Sequence, residues 1–138
     1  DITAESLSKY KLENTSNEFV GKFTSLYLSL ESETELNIKF TPATDNEDIK
    51  FSVNGKDITA VKKNGIYTIS VKDISATALD SMIEVEAVDS QGNKSILKCY
   101  ALSYAYIVLS GNYDQKLKDL VISMRNFNLL MDRYQSVC

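Results

Sequence analysis

The sequence predicts a mainly β protein, an immunoglobulin-like antiparallel β-sandwich of about seven strands followed by two C-terminal helices. Three observations carry this. Between Leu26 and Ala101, apolar residues recur at every second position in short runs, the period of a half-buried strand. Turn residues separate the runs, with Asn-Gly at 54–55 and again at 64–65. After Ser103 the apolar spacing lengthens to three and four residues, which is that of an amphipathic helix.

Each element follows in order. Leu26, Leu28 and Leu30 alternate with polar residues, and after an acidic turn Leu36, Ile38 and Phe40 do the same, giving two antiparallel strands. The segment Thr41 to Asp48 holds the only proline and reads as a loop. Ile49, Phe51 and Val53 run into Asn54-Gly55. Both residues of such a pair tolerate the positive φ of a type I′ hairpin turn. A short strand, the second Asn-Gly and a longer strand over Ile66 to Val71 complete successive hairpins. Ile83, Val85 and Ala87 line the next inward face. Asp89 to Asn93 turn the chain, and Leu97, Cys99 and Ala101 line the last. Ser103 is a cap candidate for a short helix closed by Gly111, and Asp114 for a longer one. On the latter Leu117, Leu120, Val121, Met124, Phe127, Met131 and Tyr134 form one apolar face, expected to pack on a sheet of the same domain or to dock on a neighbouring module.

A chain of 138 residues suits one domain, with a sandwich portion over 1–102 and a helical portion over 103–138 packed on it. Its net charge of -4, both signs dispersed, offers no basic stripe for nucleic acid or an anionic membrane surface. No apolar run approaches the roughly 20 residues of a membrane span. The chain opens on Asp1, as a module cut from a longer polypeptide would. Cys99 fits a small core residue, and a pairing with Cys138 stays open.

The pattern from Ser25 to Phe40, Asn-Gly-Ile-Tyr-Thr-Ile at 64–69, the strand exit Cys99-Tyr100-Ala101-Leu102-Ser103-Tyr104-Ala105, and Leu117 to Val121 with Asn126-Phe127 and Tyr134 are together similar to a known module. The sequence resembles a recurrent β-sandwich plus helical-hairpin module of large secreted and surface proteins from anaerobic gut Firmicutes, over roughly residues 20 to 135. The helix departs from it, with fewer alanines over Ser123 to Tyr134. The resemblance implies an extracellular or cell-surface location and an accessory role inside a multimodular protein, and it transfers no catalytic motif.

The chain has no histidine, which removes the usual general base, the Ser-His-Asp and Cys-His arrangements, and most zinc sites. Two carboxylates alone can hydrolyse a glycoside, and Glu84 and Glu86 lie about 7 Å apart on one strand face. Alternation also makes them a solvated sheet surface, the better reading. Asp45, Asn46, Glu47 and Asp48 offer oxygen ligands for calcium but lack the spacing and the glycine of a calcium loop. The chain has no tryptophan, the preferred platform for a sugar ring. Tyr100, Tyr104, Tyr106 and Tyr113 cluster at the strand-to-helix junction as candidates for glycan stacking, or else wedge a helix onto a sheet. Asn14-Thr15-Ser16 and Asn93-Lys94-Ser95 match the N-glycosylation pattern, an accidental match in a bacterial protein.

These readings converge on a non-catalytic structural or interaction module that spaces or docks neighbouring domains, with no cofactor, nucleic acid or membrane insertion. Its expected partners are neighbouring modules of the parent protein or another surface protein. A carbohydrate-binding module using exposed tyrosines on a polysaccharide is the alternative, and a carboxylate-only glycoside hydrolase the second.

Overall fold

The structure is a computed structural model that describes residues 1–30, 32–45 and 48–137. Among the described residues nine strands follow a 3-10 helix at Glu5–Tyr10: β1 (Glu13–Thr15), β2 (Gly21–Ser29), β3 (Glu35–Pro42), β4 (Lys50–Val53), β5 (Lys56–Ile58), β6 (Val61–Lys63), β7 (Ile66–Val71), β8 (Ile83–Val88) and β9 (Lys94–Cys99). A second 3-10 helix, Ala76–Ala78, sits between β7 and β8, and α1 (Ala101–Ser110) and α2 (Gln115–Val137) end the chain.

All pairings are antiparallel, in one sheet of order β1-β9-β8-β4-β5 and another of order β2-β3-β7-β6. The second order matches the A-B-E-D sheet of an immunoglobulin-like sandwich, and β4-β8-β9 match C-F-G. The fold class is therefore the predicted one, with nine strands instead of about seven. The additions have physical reasons. β1 is exposed and polar throughout, so it leaves no alternation to read and is held by backbone pairing to β9 and by the Asn14 side chain. What reads as one short strand after Asn54-Gly55 is two. β5 pairs with β4, and β6 pairs with β7 in the other sheet, so Thr59 and Ala60 carry the chain across the sandwich. Both Asn-Gly turns take the expected left-handed pair of residues, φ 50 and 82 at Asn54-Gly55 and φ 52 and 80 at Asn64-Gly65.

Inward residues of the two sheets interdigitate as the main core. A file of rings runs through it, Phe23 to Phe40 at 4.9 Å, Phe40 to Phe51 at 5.3 Å and Phe51 to Tyr67 at 5.0 Å between centroids, the first two edge-to-face as ring quadrupoles prefer. Cys99 is a free, fully buried thiol in this core; Cys138 lies outside the described residues.

A second core joins the helices to the N-terminus. Leu7 and Tyr10 of the first 3-10 helix, Leu79, and Leu102, Ala105 and Val108 of α1 close around Val121 of α2. Ser103 is not the N-cap residue of α1, which begins at Ala101 after Tyr100, but caps the helix as the third residue of a capping box. Placed one turn in, its Oγ accepts the Tyr100 N–H (2.9 Å) and donates to the Tyr10 carbonyl (2.6 Å), fastening the helix start to the N-terminal segment. Asp114 caps α2 as expected, its Oδ1 accepting the Leu117 N–H at 2.8 Å.

The expectation for α2 needs correction. The helix packs on α1 and the Ala76–Ala78 turn, not on the face of a sheet. Its apolar positions also divide. Val121 is buried and Leu117, Met124 and Met131 are half-buried, while Leu120, Phe127 and Tyr134 face solvent. Arg125 and Asn128 take the buried places.

Candidate functional site

Two surfaces have the shape and chemistry of binding sites. The first is a cleft where β1 and β2, at the edges of the two sheets, lean together beneath α1. The Asn14 amide donates to the Phe23 carbonyl at 2.8 Å and ties the edges. The register of β2 slips between Phe23 and Ser25, a bulge of the kind that re-aims side chains at a sheet edge. The cleft encloses about 250 Å³. Phe23, Leu26 and Leu97 are its buried walls, with Leu12 and Ile107 half-buried beside them, and exposed Asn14, Thr24, Ser25 and Tyr113 form its rim.

The four junction tyrosines part company here. Tyr100 is half-buried and meets Tyr10 edge-on, centroids 5.0 Å apart. Tyr104 is half-buried and touches both cores; burial, then the neighbouring Tyr113 phenol, push its hydroxyl above the usual tyrosine range. Tyr106 is half-buried with the Lys11 ammonium 5.5 Å from its ring centroid. Tyr113 alone of the four is exposed, at 43%, and alone lines the cleft. Its ring lies over Gly111, where an added Cβ would come within 2.7 Å of Cε2, so the glycine sets the ring's place. Asn14, Thr24 and Ser25 were not singled out in sequence. They belong to a polar strand and a bulge, neither of which leaves a periodic trace.

The second surface is the outer side of α2. Leu120, Phe127, Leu130 and Tyr134 face solvent, at 48%, 54%, 48% and 65% exposure. They fall at three-, four- and seven-residue spacings, so they lie in one stripe about 21 Å long at 1.5 Å per residue. Its N-terminal end adjoins a groove of about 550 Å³ lined by Asp114, Lys116, Leu117, Asp119, Leu120 and Ser123. Leu130 was missed, although its spacing of three from Phe127 was a signal.

The remaining candidates are dispersed. Glu84 and Glu86 stand on the outer face of β8, half-buried among cross-strand neighbours; Glu84 lies opposite Lys98, and Glu86 Oε1 is 3.4 Å from Lys94 Nζ. Asp45 and Asp48 are exposed, while Asn46 and Glu47 lie outside the described residues. Among the described residues no group of three or more cysteine, aspartate or glutamate side chains is placed to hold a metal ion, and no helix is long and apolar enough to cross a membrane. The side chain of Asn14 holds β2, and that of Asn93 donates to Asp89 Oδ2 at 3.0 Å.

No protein-family model matches the chain, and no curated protein matches it. Among solved structures it is similar to the Br derivative of BhCBM56, a carbohydrate-binding module, at 16% identity and a TM-score of 0.37, over 61% of this chain and 91% of that one.

Proposed function

We propose that the chain is a non-catalytic interaction module of an extracellular bacterial protein and that it docks a neighbouring module of the same polypeptide through the outer side of α2. The observation that carries this reading is the apolar stripe of Leu120, Phe127, Leu130 and Tyr134. Apolar residues scattered singly on a surface need no explanation, but a contiguous line of leucine and aromatic side chains is the composition of a buried interface core. Lys116, Lys118 and Asp119 flank one end and Asp132 and Arg133 the other. With both signs at each end, the stripe selects an uncharged, apolar surface and not a basic or acidic one. The sequence resemblance to modules of multimodular surface proteins supports the location and the partner.

The test is hydrogen exchange over residues 115–134 in the isolated chain and with the adjoining modules present. Protection gained on the α2 stripe, and lost in a Leu120→Ser/Phe127→Ser double variant, is the expected result. Unchanged exchange overturns the reading. So does a concentration-dependent dimer by sedimentation that the same variant abolishes, because it puts a second copy where the neighbouring module should be.

A further inference from the structure

Beyond docking through α2, we infer that the cleft between β1 and β2 is a binding site for a single sugar ring, a pyranose residue of a glycan, with the Tyr113 ring at its rim as the stacking face. Size is the first argument. At about 250 Å³ the cleft lies below the roughly 300–1,000 Å³ of sites for drug-sized ligands, so it admits one ring and not an extended molecule.

The division of its lining is the second. Phe23, Leu26 and Leu97 are buried, and the hydroxyls of Thr24, Ser25 and Tyr113 with the Asn14 amide stand at the exposed edge. Thr24 Oγ1 reaches only the Lys39 carbonyl, at 3.4 Å, and the side-chain hydroxyls of Ser25 and Tyr113 have no hydrogen bond to any other described residue. An aliphatic or aromatic side chain seated here would cover those hydroxyls and leave them unpartnered, which is costly. A pyranose has the opposite character, C–H groups on its faces and hydroxyls around its rim, so its face meets the apolar wall and its hydroxyls meet the rim. Tyr113 provides a ring face of the kind that stacks on sugar C–H groups, and Gly111 fixes where that face lies.

The remaining tyrosines do not belong to this site. Tyr10 covers Tyr100, both cores enclose Tyr104, and Lys11 overlies Tyr106. The site is therefore one ring wide, and a glycan chain would have to pass it at the β2 edge.

The experiment is an amide chemical-shift titration of the chain with methyl β-D-glucoside, methyl β-D-galactoside, methyl β-D-xyloside and a hexasaccharide of each sugar, with cyclohexylmethanol as an apolar ring of similar size. The expected result is saturable shifts at Asn14, Phe23 to Leu26, Ile107 and Tyr113 with at least one glycoside. They should be abolished in Tyr113→Ala and weakened about two- to tenfold in Ser25→Ala, as the loss of one hydrogen bond implies. Both variants should keep the remaining wild-type spectrum, and the α2 stripe double variant should bind as wild type does. Silence with every sugar overturns the inference. So do shifts that survive Tyr113→Ala, and tighter binding of cyclohexylmethanol than of any glycoside. Loss of binding in the stripe variant would move the ligand to α2 and overturn it as well.

Discussion

Asn128 donates its side-chain amide to the backbone carbonyl of Ala76 across 2.6 Å and 52 positions of sequence. Its Oδ1 accepts from Arg125 Nη1, also at 2.6 Å, and the Arg125 guanidinium lies 5.4 Å from the centroid of the Tyr10 ring. A continuous polar link thus runs from the Ala76–Ala78 turn through α2 to the N-terminal 3-10 helix. It explains how a helix with two buried polar side chains is held in a fixed rotation, since each has a partner.

Asn128→Leu keeps the branching and heavy-atom number of the side chain and removes both hydrogen bonds, taking the shared amide away from the Ala76 carbonyl and the buried Arg125 guanidinium. The expected loss is about 2–3 kcal/mol of unfolding free energy, read from urea denaturation. Asn128→Asp can still accept from Arg125 but cannot donate to Ala76, so it should fall between the two. A loss under about 0.5 kcal/mol in Asn128→Leu, the scale of a surface substitution, would show that α2 is held by its apolar contacts alone.

This link also marks the limit of what the sequence shows. The alternations that make β2, β3, β4, β7, β8 and β9 are legible because one face of each strand is wet, and the two Asn-Gly pairs because only a few residues accept positive φ. The α2 face is not so readable. Leu117 to Tyr134 recur at helical spacing, but the buried side is turned by roughly 80° toward Arg125 and Asn128, at 3.6 residues per turn. Hydrophobicity cannot reveal that rotation, because the partners that make the two polar side chains buriable, Tyr10 and Ala76, are remote in sequence. The cleft was half legible. Tyr113 was named among four tyrosines, and what distinguishes it is the β1–β2 edge contact, which is set by the polar Asn14.

Gly21 and Gly55 both have positive φ, 136 and 82, yet alanine should affect them differently. A Cβ at Gly55 meets nothing within 4 Å, so Gly55→Ala should cost about 1–2 kcal/mol from backbone conformation alone. At Gly21 the same atom would lie 2.3 Å from the Thr41 carbonyl oxygen and 2.8 Å from Phe40 Cζ, in a strand that is paired at Pro42. Gly21→Ala should therefore be the more damaging by a wide margin and should shift the fluorescence of the ring file around Phe40 and Tyr67. Equal thermal midpoints for the two variants would contradict this.

Cys99 has no exposed surface, and burial pushes its thiol up to about 12. The thiolate is the reactive form, so Cys99 should resist alkylation in the folded chain at mildly alkaline pH and react once denaturant is added. Peptide mapping after a maleimide pulse measures this directly for the Cys99 peptide. Rapid labelling of that peptide without denaturant would mean that β9 opens locally on the timescale of the pulse.

Two carboxyl groups should give the stability a bend on the acid side. The Asn93 side-chain amide, with backbone N–H groups of Gln91, Gly92 and Asn93, holds Asp89 below its ordinary value of 3.8. A depressed acid contributes stability above its unfolded pKa and loses it as pH falls through the folded value. Glu33 is the reverse case. A hydrogen bond with Asp73 and the nearby Asp73 charge raise it above 4.5, so it opposes folding once pH exceeds its folded value and stops doing so below 4.5. Acidifying from neutral pH should first favour folding through Glu33 and then, below about 3.8, disfavour it through Asp89. Urea midpoints of Glu33→Gln should exceed wild type at neutral pH and converge with it at about pH 4. Those of Asp89→Asn should fall below wild type at neutral pH and approach it only under stronger acid. Parallel curves for either variant across the whole range would show that its carboxyl titrates alike in the folded and unfolded chain.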